Sequence, residues 1–197
     1  MKKILIIDAC MRKEDSRTAL LCKKAVETLK ELHPDWTFER VALADLPLRY
    51  LDKDSLTERD ALLAEKRYDH PRFDLAHQFQ EADGMIVAAP FWDLSFPAAL
   101  KVYIENVSVD GLTFYCDEQG LHGKCRAAWM LHLSTRGGLW DEETRQDEHY
   151  LRALCGFFGV GAYHVVAAEG IDIVGLDHEK ILKDALSETE KVCRTLA

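Results

Sequence analysis

Lys3-Ile4-Leu5-Ile6-Ile7-Asp8 is a continuous apolar run of strand length between polar ends, followed closely by the polar stretch Arg12 to Asp15 and then by Ser16-Arg17-Thr18. A strand with one wet face alternates apolar and polar residues, whereas an unbroken run of this length marks a strand covered on both faces, the pattern of a central parallel strand. Ser16, Arg17 and Thr18 open a helix whose apolar positions Leu21, Ala25, Leu29 and Leu32 repeat at helical spacing, and Pro34 ends it.

The alternation continues down the chain. Trp36 to Leu43 is the second strand, and Asp45 to Asp60, with Pro47, reads as a long excursion over the surface with a helix at about Leu56 to Lys66. Phe73 to Ala82 is helical and stops at Gly84; Met85 to Ala89 is the third strand and ends at Pro90. A helix starts near Pro97, where a missing N–H is harmless in the first turn, and runs to about Val107. Ala127 to Leu133 is the fourth strand and closes on Ser134-Thr135-Arg136-Gly137-Gly138. Asp141 to Glu148 then leads a helix to Phe158, with negative charge favourably placed at its N-terminus. Tyr163 to Ala168 is the fifth strand and His178 to Leu196 the last helix. Five alternations of strand and helix predict a doubly wound α/β sheet. With 197 residues and no repeat, linker or low-complexity segment, the chain reads as one domain over residues 1–197.

Composition excludes several classes. Hydrophobic residues at 48% and charged residues at 30% rule out a disordered or collagen-like chain. The longest apolar runs, such as Met85 to Pro90, are far short of a bilayer span, and Lys2 and Lys3 precede only Ile4 to Ile7 before Asp8, which is no secretory signal. The expected location is the cytoplasm, with no membrane partner. The 25 Lys and Arg against 34 Asp and Glu give a net charge of -9, which argues against nucleic acid held by bulk electrostatics. Cys10, Cys22, Cys116, Cys125, Cys155 and Cys193 contain no CxxC pair and no zinc spacing, so they read as reduced thiols, mostly buried, and no metal site is expected. His132 reads as a core residue, His149 as solvent-facing, and the acidic run Asp141 to Glu148 as a solvated face.

In an open parallel sheet, ligands sit outside the carboxyl ends of the strands, which directs attention to the loops after strands one, three and four. The first, Ala9 to Thr18, brings hydroxyls, a guanidinium and free N–H groups to a helix N-terminus, a ready phosphate site; the alternative is that Ser16 only caps the helix. The second, Pro90-Phe91-Trp92-Asp93-Leu94-Ser95-Phe96-Pro97, sets three aromatics where a loop is normally polar. Such a surface suits a flat ring, although Phe91, Trp92 and Phe96 could instead lie under the next helix, the favoured reading for Phe96. The third joins Ser134, Thr135 and Arg136 to Gly137-Gly138, which permits close backbone approach to a ligand or is simply a turn.

These loops, in this order, resemble those of the flavodoxin-like FMN-dependent NAD(P)H:quinone oxidoreductase and azoreductase family. The family's Ser, five residues, Ser-x-Ser is matched by Cys10, five residues, Ser16-Arg17-Thr18; its A-A-P-[MF]-[WY]-N-F by Ala88-Ala89-Pro90-Phe91-Trp92-Asp93-Leu94, with Leu100-Lys101 following; and its T/S-x-R-G-G by Ser134 to Gly138. Gly111-Leu112-Thr113-Phe114, Gly123-Lys124, and the stretch from Tyr150-Leu151 through Gly156-Phe157-Phe158-Gly159 to Ala168-Glu169-Gly170 extend the likeness over essentially the whole chain. The resemblance implies a flavodoxin-like sheet of order 2-1-3-4-5 with helices on both faces. It also implies noncovalent FMN on Cys10, Ser16, Arg17, Thr18, Pro90 to Leu94 and Ser134 to Gly138, and NADH or NADPH as co-substrate. The implied reaction is a ping-pong two-electron reduction of quinones, azo compounds or related acceptors, in a homodimer whose active sites lie at the subunit interface.

Two departures from the family pattern bear on the chemistry. Cys10 replaces a Ser and is a poorer donor to a phosphate. Asp93 replaces an Asn, and an ionised carboxylate beside the ring would oppose the negative charge that reduction adds. Two rival readings are an electron-carrier flavodoxin without substrate turnover and a phosphatase using Cys10. In the latter, six residues separate Cys10 from Arg17 where the phosphatase loop has five.

Overall fold

The opening apolar run forms β1 (Lys3–Asp8), buried at every position except Lys3. A computed structural model, which describes residues 1–196, places the other elements around it. In chain order these are α1 (Arg17–Leu32), β2 (Thr37–Ala42), α2 (Lys53–Ala64), α3 (Asp74–Glu81), β3 (Gly84–Ala88), α4 (Ala98–Val107), β4 (Phe114–Asp117), β5 (Gly120–Gly123), β6 (Trp129–Arg136), α5 (Gln146–Phe158), β7 (Ala162–Glu169) and α6 (His178–Cys193). Ala197, the last residue of the expected single domain, lies outside the described residues. The main sheet runs β2-β1-β3-β6-β7 with every pair parallel, which is the expected 2-1-3-4-5 order when the strands of this sheet are counted alone.

Successive side chains of a strand point to opposite faces, so the unbroken run in β1 feeds two cores at once. Leu5 and Ile7 pack with Phe79, Leu100, Tyr103, Leu151 and Phe158, from α3, α4 and α5. Ile4 and Ile6 pack on the opposite face with Leu21, Ala25 and Leu29 of α1 and Ala185 of α6. Burying a large aliphatic side chain stabilises by about 1.5–3 kcal/mol, so this one strand anchors both layers.

The structure departs from the sequence reading at four places. Helix α2 begins at Lys53, earlier than Leu56, because the Asp52 side chain caps it by accepting the Ser55 N–H at 2.8 Å. The segment around Gly111 to Gly123, read only as motif, folds into the antiparallel hairpin β4–β5. A Cβ at Gly123 would lie 2.0 Å from the backbone of Phe158 and Gly159, so only glycine lets the hairpin seat on the end of α5. Strand β6 continues to Arg136, paired through to Arg136↔Glu169, so Ser134, Thr135 and Arg136 are strand residues rather than loop residues. Finally, the acidic run does not face solvent throughout. Glu142 to Thr144 make a single 3-10 turn, α5 starts at Gln146, and Asp147 is fully buried.

Candidate functional site

A cleft opens at the carboxyl ends of β1, β3, β6 and β7. Its walls are Arg12, Asp15, Ser16 and Arg17 after β1; Pro90, Phe91 and Trp92 after β3; Thr135 and Gly137 at the end of β6; and Ile171 and Asp172 after β7. The three loops singled out from the sequence therefore meet. Backbone bonds hold them: Ala9 donates to the Ala88 carbonyl at 2.8 Å, Ala89 to Leu133 at 3.0 Å and Phe91 to Thr135 at 3.1 Å. Thr18 and Thr135 add a side-chain link, their hydroxyls 2.7 Å apart.

The β1 side has the chemistry of an anion site. The first N–H groups of a helix have no intrahelical acceptor, and Ser16, at the N-cap of α1, makes no side-chain bond to them. Its hydroxyl does not cap the helix, contrary to the alternative in which it serves only as a cap, and it lies within hydrogen-bonding reach of the Cys10 thiol. The Arg17 guanidinium uses Nη1 alone, donating to Asp172 Oδ1 at 2.8 Å and to the Ile171 carbonyl at 3.4 Å. Beneath the loop, the buried Asp8 carboxylate accepts the Cys10 N–H at 2.9 Å and pairs with Arg40, which fixes the start of the turn.

The β3 side supplies the flat surface. Phe91 and Trp92 line the cleft, Trp92 being 42% exposed, while Phe96, expected in the core under the next helix, is half-buried and packs with Tyr150 against the edge of the core. Trp92 and Ser95 exchange backbone bonds of 3.0 and 2.8 Å, with Asp93 at φ 51° and Leu94 at φ 66°, so these four residues form a tight turn left-handed at both central positions. This geometry strongly favours Asn-Gly, Asp-Gly or Gly-Gly pairs. Asp93 and Leu94 therefore sit exposed at the tip of the turn, outside the cleft wall, and solvent screens the Asp93 carboxylate. A left-handed non-glycine residue costs roughly 1–2 kcal/mol, partly offset by the freedom glycine has when unfolded, so Leu94→Gly is expected to stabilise the protein by about 0.5–1 kcal/mol. Urea unfolding checks this, and a loss of stability would show that the Leu94 side chain earns its place by packing.

At the end of β6 the pleat decides which residues reach the cleft. Thr135 points toward α1 and the cleft, so its neighbours Ser134 and Arg136 point the other way and are buried. Arg136 is 0% exposed: Nη1 donates to Glu169 Oε1 at 2.6 Å, and Nη2 to Glu148 Oε1 at 2.6 Å and Asp147 Oδ2 at 3.1 Å. Burial pulls the Arg136 pKa down, but Glu148, Asp147 and Glu169 more than offset it and leave the group firmly charged. Burial raises the Asp147 carboxyl above its ordinary range despite the neighbouring guanidinium. His132, also fully buried, receives or gives a 3.0 Å bond with the Tyr163 hydroxyl, and burial pushes its pKa down to about 3, so the ring is neutral. Gly137 is the close-approach position: a Cβ there would lie 2.8 Å from Asp172 Oδ2.

Cys10 does not present its thiol to the cleft. It is 2% exposed, lies 3.7 Å from the Ala88 carbonyl, and burial raises its pKa far above that of a reactive thiol, which removes the phosphatase reading. Thr18, Ser134 and Arg136 are likewise buried behind the wall, and Gly138 is half-buried and does not line the cleft. Arg12, Asp15, Ile171 and Asp172 were missed by the sequence reading, although the strand-end rule points equally to the loop after the fifth strand. That loop is drawn in by backbone bonds from Ile171 to Arg136 at 3.1 Å and from Asp172 to Gly137 at 3.0 Å.

Comparison with known proteins agrees with this architecture. The family model described as flavodoxin-like fold matches residues 2–192. An FMN-dependent NADH:quinone oxidoreductase of Caldicellulosiruptor saccharolyticus is 34% identical over 199 residues, covering 98% of this chain and 99% of that protein. FMN-dependent NADH:quinone oxidoreductase 2 of Clostridium acetobutylicum is 33% identical over 196 residues, covering 97% and 98%. The crystal structure of an FMN-dependent NADH-azoreductase from Bacillus anthracis, in complex with FMN, superposes with a TM-score of 0.87 at 26% identity over 100% of both chains.

Proposed function

The chain belongs to the flavodoxin-like family of FMN-dependent NADH:quinone oxidoreductases and NADH-azoreductases, and from that membership we propose that the cleft holds FMN and serves two-electron reduction of a quinone or azo acceptor. The protein is an FMN-dependent NAD(P)H oxidoreductase. One observation carries the assignment of the site: the N-terminus of α1, uncapped by any side chain, opens with Ser16 and Arg17 onto the same cleft as Phe91 and Trp92. An anion site beside an aromatic surface fits a phosphorylated planar cofactor, and the glycine at 137 leaves room for backbone to approach it.

FMN, when bound, would supply the hydride chemistry between NAD(P)H and the acceptor. The residues of the chain hold and enclose it. Ser16 and the first N–H groups of α1 would donate to the phosphate and Arg17 would neutralise it, while Asp172 restrains the Arg17 guanidinium. Phe91 and Trp92 offer apolar surface that excludes water, while Thr135 and Gly137 close the opposite wall. Asp93, Leu94 and Gly138 shape the turns behind these contacts, and Cys10, Thr18, Ser134 and Arg136 act from beneath them.

The working form in this reading is a homodimer with each cleft at the subunit interface, supported by the exposed apolar side chains of Trp92, Leu139 and Val174 on the loops beside the cleft. Cytoplasmic residence is supported by the six free cysteines; among the described residues, no helix is long and apolar enough to cross a membrane. Heat release followed by chromatography is expected to yield FMN from the purified protein, and the loaded protein is expected to oxidise NADH or NADPH when a quinone is supplied. FAD in the extract, or no flavin retained after incubation with excess FMN, overturns the reading. Retained FMN without turnover of free NAD(P)H identifies an electron carrier instead.

A further inference from the structure

Phe91 is the aromatic of the cleft with the most elaborate support. The Arg136 guanidinium carbon lies over its ring, 5.2 Å from the centroid, and the Trp140 indole meets it at 5.5 Å and 49°. Arg136 itself cannot choose another position. Glu169 of β7 holds one end of the guanidinium, while Asp147 and Glu148 of α5 hold the other, and Arg145 approaches Glu169 at 3.3 Å from the outer side. The cation is therefore clamped between two elements and held over the ring of a residue of the site.

We propose that Arg136 is a positioning residue that acts through Phe91: the three-carboxylate clamp fixes the guanidinium, and the guanidinium, lying over the Phe91 ring, fixes that wall of the cleft. The inference rests on the reading of the cleft as the FMN site. It assigns to Arg136 a role distinct from the direct cofactor contact that the sequence suggested. A planar delocalised cation suits this task, because it can bind carboxylates at its edge while stacking on an aromatic face; a lysine ammonium cannot do both.

The two roles make different demands on the ligand. A residue reaching the phosphate discriminates FMN from riboflavin, whereas a residue supporting the ring wall affects both alike. Arg136→Lys is therefore expected to weaken binding of FMN and of riboflavin to the flavin-free protein by the same factor, about tenfold for loss of a desolvated cation–π contact. In a Phe91→Leu background the same change is expected to weaken FMN binding by less than about twofold, since the route is already cut. Flavin fluorescence quenching measures both constants. Glu148→Gln, which loosens one tether and keeps the guanidinium, serves for the same comparisons where Arg136→Lys does not fold.

A ligand-free readout separates this inference from the cofactor reading. With phenylalanine carrying carbon-13 in its ring, the Phe91 signal, assigned by its absence in Phe91→Leu, is expected to shift in Arg136→Lys (or in Glu148→Gln, should Arg136→Lys not fold) before any flavin is added. A shifted signal in a protein that binds no FMN upholds the positioning role and overturns only the identity of the ligand. An unshifted Phe91 signal overturns the proposal. So does a loss confined to FMN, or an undiminished tenfold loss in the Phe91→Leu background.

Discussion

Arg136→Met is expected to lower the unfolding free energy by about 3–5 kcal/mol, the usual consequence of removing one side of a buried ion pair. Methionine roughly preserves the length and bulk of the side chain, so the loss reports charge rather than a cavity. Without the guanidinium, Asp147, Glu148 and Glu169 face one another with the partly exposed Arg145 in reach of Glu169 and the buried His132 ring 3.8 Å from Asp147. The pH dependence has a definite sign. Burial already holds the Asp147 carboxyl above its unfolded value, and removing Arg136, which lowers it, raises it further. A carboxyl raised in the folded state is a liability where it must ionise, and the liability disappears as pH falls through the folded pKa and the group takes up a proton. Urea unfolding of the flavin-free proteins is therefore expected to show a smaller deficit at pH 5 than at pH 8, and Glu148→Gln added to Arg136→Met is expected to recover part of it. A deficit below about 1 kcal/mol, within the range of an exposed pair, would show that the cluster is solvated in solution.

The second large effect concerns affinity. Arg17→Ala is expected to weaken FMN binding by roughly 10- to 100-fold, since hydrogen bonds to charged groups contribute about 1.5–3 kcal/mol, against about 1 kcal/mol, or roughly fivefold, for Ser16→Ala. Asp172 occupies only Nη1 of Arg17, so Nε and Nη2 remain available to a phosphate. Riboflavin, which lacks the phosphate, should bind wild type and Arg17→Ala equally. Because the guanidinium is partly open to solvent, the wild-type advantage should also shrink as salt is raised toward 1 M. The check is a titration of both flavins at low and high salt; FMN affinity unchanged by Arg17→Ala places the phosphate elsewhere in the cleft.

Much of this molecule is local and could be read before it was folded. The Ile4 to Ile7 run, the helical spacing of Leu21, Ala25 and Leu29, and the Pro and Gly stops determine the order of strands and helices, because periodicity and chain breaks act within one element. The position of the site follows from the same reading, since ligands of an open parallel sheet lie at its strand ends. Ser16, Arg17, Phe91 and Trp92 could thus be placed on one cleft from their numbers alone. The direction in which Arg136 points could not. It depends on β6 continuing three residues beyond Leu133, and that extension exists only because β7 pairs with it as far as Glu169. Once the strand continues, the pleat sends Thr135 to the cleft and Arg136 to the opposite face, where Asp147 and Glu148 leave the solvent to meet it. Asp172 entered the site by the same kind of long-range bond, through Gly137, and the β4–β5 hairpin by the fit of Gly123 against the end of α5. Local patterning decides which elements form and at which end of the sheet the chemistry lies; pairing between distant segments decides which side chains face the cleft and which stand behind it, because those contacts form only when the sheet closes.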